Sequence, residues 1–88
     1  MEAHVFDTHV QTRDGRYLHF DVLISRKDDV LALRYAREWL ARNGIHEPEI
    51  AQNRCQFCHS ELASQEMVST MSVQGYFIIP MQGCDEFR

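Results

Sequence analysis

The segment Tyr17-Leu18-His19-Phe20-Asp21-Val22-Leu23-Ile24 constrains the fold most strongly, because its side chains alternate with the two-residue period of a strand buried on one face. Leu18, Phe20, Val22 and Ile24 form a core-facing set, while Tyr17, His19, Asp21 and Leu23 face mostly water. Residues 3–10 are a second apolar-rich run, separated from the first by Arg13-Asp14-Gly15-Arg16, so the two read as a β-hairpin. Loop length sets the register. A two-residue Asp14-Gly15 turn would put Phe20 opposite His9 and Val22 opposite Asp7, forcing polar groups into the core. A three-residue loop with Gly15 in the left-handed conformation instead pairs Phe6 with Val22, Thr8 with Phe20 and Val10 with Leu18, and this is the expected register.

Downstream, Ser25 and Asp28 resemble a capping box, with Asp where Glu or Gln is usual, opening a helix over roughly residues 27–43 that stops at Asn43-Gly44. Ala32, Leu33, Ala36, Trp39 and Leu40 fall on one arc of it, the pattern of a helix lying on a sheet. The opposite arc, with Arg34 and Glu38, reads as a solvated face. A third strand is expected somewhere in residues 50–58, after Pro48, although its alternation is poor. Ser64-Gln65-Glu66 opens a shorter helix to about Gln74, with Met67, Val68 and Met71 as its apolar side and Gly75 as its stop. Tyr76-Phe77-Ile78-Ile79-Pro80-Met81 is the last strand, and Pro80 marks its end or an edge. The expected fold is a ββαβαβ α+β two-layer sandwich. In it an N-terminal hairpin joins a small mixed sheet and both helices pack on one face, as right-handed crossovers would require if they joined parallel strands.

With 88 residues the chain is expected to be a single domain, residues 1–88, with a small core. A net charge of −4, with nine Lys and Arg scattered along the chain, argues against nucleic acid as a partner. No apolar run is long enough to span a membrane, and Met1-Glu2-Ala3-His4-Val5 lacks the basic and apolar regions of a signal peptide, so a cytoplasmic protein is the expectation. Three cysteines in that compartment read as reduced thiols.

Cys55-Gln56-Phe57-Cys58-His59 offers three chemistries. Its spacing matches c-type haem attachment, but that chemistry normally needs export. As a dithiol redox pair it would want a helix N-terminus close behind, and Ser64 lies several residues on. As a zinc site, Cys55, Cys58, His59 and Cys84 supply four soft ligands, with His4 as an alternative, provided that the third and last strands are parallel neighbours and the chain turns between Cys55 and Cys58. Separate structural thiols outrank all three. Zinc is accordingly possible rather than expected as a cofactor.

The hairpin register generates a second cluster, with Asp7 opposite Asp21 and His9 opposite His19 on the face turned away from the core. Two carboxylates and two imidazoles there can hold a divalent ion or move a proton, though a water-facing sheet surface shows the same residue types. Like charges facing one another cost stability unless a cation or imidazole intervenes.

His4-Val5-Phe6-Asp7-Thr8, Asp14-Gly15, His19-Phe20-Asp21-Val22-Leu23, Cys55 through Glu61, Gly75-Tyr76-Phe77-Ile78 and Gly83-Cys84 together resemble a family of short bacterial proteins of unknown function. The resemblance covers nearly the whole chain and implies the same ββαβαβ fold, and it carries over no activity and no catalytic or binding residue. The expectation is therefore a non-enzymatic domain that binds another protein or itself, with a metal-binding or thiol-redox module as the rival. A contiguous exposed apolar patch that includes Val5, Leu23 or Tyr17 on the open sheet face would favour the first.

Overall fold

A computed structural model describes residues 1–85 and 87 of the chain. In order, the elements are β1 (Glu2–Thr12), β2 (Tyr17–Ile24), α1 (Asp29–Arg42), a 3₁₀ turn (Glu47–Glu49), β3 (Ile50–Leu62), α2 (Gln65–Gln74) and β4 (Phe77–Pro80). The fold is α+β, with one four-stranded sheet in the order β3-β1-β2-β4, in which every neighbouring pair is antiparallel.

The hairpin adopts the three-residue-loop register: Phe6 pairs with Val22, Thr8 with Phe20 and Val10 with Leu18. Thr12 closes the loop by donating its N–H to the Arg16 carbonyl at 2.9 Å, and Gly15 takes φ +92°, a conformation that side chains with a Cβ resist. This pairing buries Phe6, Val10, Leu18, Phe20, Val22 and Ile24 on one face.

Helix α1 covers that face with Ala32, Ala36, Trp39 and Leu40. Its cap is Asp28 rather than Ser25: the Asp28 carboxylate accepts the Leu31 N–H at 3.1 Å, one residue before the first helical turn, where negative charge also meets the helix dipole. Trp39 lies between two aromatic rings, with centroids 4.6 Å from Phe20 and 5.2 Å from Phe87.

The sheet corrects two expectations. It is antiparallel rather than mixed, and β3 and β4 occupy opposite edges, each antiparallel to the hairpin strand beside it. The start of α2 also packs on the face opposite α1. Ala3, Val5 and Leu23 point away from α1 and form a second small core, against which Met67 of α2 packs together with Ala63, Phe77 and Ile79. The connection from β3 to β4 must pass from one sheet edge to the other, and α2 makes that passage over the end of the sheet where β1 begins. Val5 and Leu23, at 1% and 0% exposure, are thereby covered and supply no open apolar patch, whereas Tyr17 stays exposed. The far end of α2 meets α1, where Arg42 donates to Gln74 and to the Tyr76 hydroxyl, each at 2.9 Å.

Strand β3 runs on to Leu62, past the expected end at residue 58, because it stays paired with β1 as far as Glu2, and a bulge absorbs one residue on the way. Val5 pairs with His59 and Phe6 with Phe57, which leaves Cys58 between them without a partner on β1. Pro80 ends β4, and β4 lies at an edge.

Candidate functional site

The half of the open face that α2 leaves bare is polar. Successive side chains of a strand alternate between faces, so Asp7, His9 and Gln11 of β1 project there, beside Tyr17, His19 and Asp21 of β2. The register sets His9 opposite His19 and Asp7 opposite Asp21.

His9 and His19 stack, with ring centroids 4.2 Å apart and planes 11° from parallel. Each turns Nε2 to the same carboxylate: His9 donates to Oδ2 of Asp7 at 2.8 Å, and His19 donates to Oδ1 at 2.5 Å. The other ring nitrogen of His9, Nδ1, hydrogen-bonds the Tyr17 hydroxyl. Among the described residues, the one group of three or more His, Cys, Asp or Glu side chains whose ligand atoms all lie within 4.8 Å of one another is Asp7, His9 and His19.

The two aspartates of this face titrate in opposite directions. Burial pushes the Asp7 carboxyl up, but the hydrogen bonds from His19 and His9, helped by their charge, outweigh it and hold Asp7 below the ordinary carboxylate value. Asp21 is raised, first by burial and then by the Asp7 charge facing it, against weaker opposing effects of His19 and His59. Asp21 lies outside the group of three.

The thiols do not converge. Cys55 pairs with Thr8, points toward the α1 face, and accepts the Thr8 hydroxyl at its sulfur at 3.4 Å. Cys58 is the exposed bulge residue, and His59 turns to the open face, where its Nε2 meets Glu61 at 2.9 Å. Cys84 is buried on the β4 side of the hairpin, its S–H directed at the His19 carbonyl at 3.5 Å. The His59 row of the sheet contains Leu23, four residues from His19, which is roughly 13 Å along the strand, and both hairpin strands intervene. His4 bonds Ser60 at 2.7 Å and sits in the Ile24 row, farther still from Cys84. The zinc arrangement needed β3 and β4 side by side, and the sheet puts them at opposite edges. Burial raises the Cys55 and Cys84 thiols, which disfavours the thiolates that metal and redox chemistry use.

Two parts of the site have no signature in the linear sequence. Arg54 of β3 stands opposite His9 and lines an open cleft with His9, Tyr17 and Gln52. His59 and Glu61 lie close enough to Asp21 to act on its charge. Both follow from the β1–β3 register and its bulge, which the weak alternation of β3 does not reveal.

No helix among the described residues is long and apolar enough to cross a membrane. No curated protein matches the chain. Its fold is similar to the NMR structure of a Nitrosomonas europaea protein, a structural genomics target, with 39% sequence identity and a TM-score of 0.77 over 97% of this chain and 100% of that one. The profile of a domain of unknown function, DUF2024, matches residues 1–81, and the chain belongs to that family.

Proposed function

We propose that the chain is a non-enzymatic binding domain that takes up a divalent transition-metal ion of the zinc class on Asp7, His9 and His19. The observation that carries this reading is the convergence of two Nε2 atoms from neighbouring strands on one carboxylate, at 2.8 and 2.5 Å. Two imidazoles and one carboxylate are a recurring ligand set for such ions and leave further coordination positions for water or a partner's side chain.

Binding requires a change of tautomer. In the metal-free hydrogen bonds Nε2 carries the proton, whereas a ligating Nε2 must present its lone pair. The proton of His9 then resides on Nδ1, beside the Tyr17 hydroxyl oxygen, which can accept it. That oxygen stands where a metal-bound histidine ordinarily has a carboxylate, carbonyl or water as its outer partner. His19 lies on a central strand of the sheet, its N–H donating to Gln82 at 2.8 Å and its carbonyl accepting from Met81 at 2.9 Å. The ligands therefore come from a rigid lattice. The site is a solvent-open sheet face, which favours binding over reactions that depend on excluding water.

Isothermal titration with zinc under reducing conditions tests this. The expected result is one ion per chain, lost in His9→Ala and His19→Ala variants whose circular dichroism is native, and kept in Cys58→Ser and Cys84→Ser. Binding lost with the cysteines instead would move the ion to the thiols, and no stoichiometric binding would overturn the reading.

A further inference from the structure

The two edges of the sheet are unlike. β4 offers four residues ending in proline, a short edge of the kind that resists strand addition, whereas β3 offers thirteen residues, Ile50 to Leu62, without proline. Along β3, Arg54, Gln56, His59 and Glu61 belong to the open face, and Cys55, Phe57 and Ser60 to the α1 face, because they pair with β1 residues of those faces.

We infer that β3 pairs antiparallel with β3 of a second copy of this chain about a two-fold axis at the Phe57-Cys58 bulge, with Arg54 of each copy opposite Glu61 of the other.

Geometry selects this register. An antiparallel two-fold pairing keeps each face of the sheet continuous, so residues facing one another must belong to the same face. Arg54 and Glu61 are seven apart and would lie on opposite faces of a regular strand. The bulge changes the parity and brings both to the open face. Taking Phe57 and Cys58 as the single bulged position, the pairs are Gln56 with His59, Cys55 with Ser60 and Arg54 with Glu61, every one of them matched in face. A bulge alone is a device that discourages edge pairing, but one placed on the symmetry axis meets its own copy and leaves both flanks in register.

The chemistry agrees with the geometry. Arg54 is exposed, and the salt bridges found among the described residues do not include it. Glu61 is held at 2.9 Å by His59, so the partner's arginine would add a permanent charge to a site now served by an imidazole. The symmetry forms the pair twice. At the axis lies Phe57, 39% exposed, with the Lys27 ammonium 4.3 Å from its ring centroid and the Phe6 ring edge-on at 5.7 Å, and its exposed part faces the partner's Phe57 across the axis.

Sedimentation equilibrium of the full chain from about 10 µM to about 1 mM, with a chelator present so that a bound ion plays no part, should give a monomer–dimer equilibrium. Arg54→Glu and Glu61→Arg are each expected to raise the dissociation constant at least about tenfold, since each sets like charges face to face twice. The double variant R54E/E61R restores opposite charges across the axis and should recover dimerisation. In the wild type, a short bis-maleimide should join two chains through Cys58 and fail with Cys58→Ser. A monomer throughout the range overturns the inference. So does a dimer that neither charge reversal weakens, or two weakened singles that the double variant does not rescue.

Discussion

His9 and His19 face one another across the first hairpin with their rings 4.2 Å apart, and both aim Nε2 at Asp7. The hairpin thus holds three ligand-bearing side chains together without a loop. Tyr17, two residues before His19 and on the same face, steadies the His9 ring from its other nitrogen. Tyr17→Phe is therefore expected to weaken zinc binding about tenfold, the usual lower cost of losing an outer partner, while leaving stability nearly unchanged. Titration calorimetry beside thermal melts of the metal-free protein separates the two effects.

Asp7 accepts both imidazoles, and its folded pKa is depressed. A depressed carboxylate contributes stability that is present above its unfolded pKa and lost as pH falls through the folded value. Asp7→Asn should cost about 0.5–1 kcal/mol at pH 7, after allowance for solvent screening. The gap between variant and wild type should close as the acid is titrated. Urea melts across the acid range measure it.

Asp21 has the opposite sign. Its pKa is raised by burial and by Asp7 opposite it, so the folded state binds the proton more tightly and stability is lost as pH rises from the unfolded pKa through the folded one. Asp21→Asn should make the metal-free protein more stable at pH 7, by about 0.2–1 kcal/mol, the scale of a cross-strand like-charge pair. Urea melts at pH 7 read the gain, and a loss of stability there would contradict the electrostatic account of this face.

The thiols should divide by location. Cys58 is exposed on the bulge, whereas Cys84 is 2% exposed and Cys55 is half-buried under α1 with its pKa raised by burial. A thiol reagent at neutral pH should modify one cysteine rapidly in the native chain and the other two only on unfolding. Mass spectrometry of the labelled peptides identifies which one reacts.

Trp39 joins α1 to the sheet by filling the space between Phe20 and Phe87. Trp39→Ala should cost about 3–5 kcal/mol, because the small core cannot close over the space an indole leaves. Denaturant melts followed by circular dichroism measure the loss.

Much of this arrangement is legible in the sequence. Alternation from Leu18 to Ile24 and a glycine at position 15 determine the hairpin register, since a one-residue slip would exchange core and solvent faces. That register by itself sets His9 opposite His19 and Asp7 opposite Asp21. The helical arc of Ala32, Ala36, Trp39 and Leu40 is likewise a local period. Tertiary structure alone decided that β3 and β4 lie at opposite edges, which separates Cys84 from Cys55 and Cys58, and that α2 covers Val5 and Leu23. It also decided the bulge at Cys58, which turns His59 to the open face. The physical reason is the range of the forces involved. Periodicity records which face of one element is buried, whereas strand order and the placement of α2 depend on how all the elements together cover apolar surface. An edge strand such as β3, exposed along most of its length, carries little of that record in its residues.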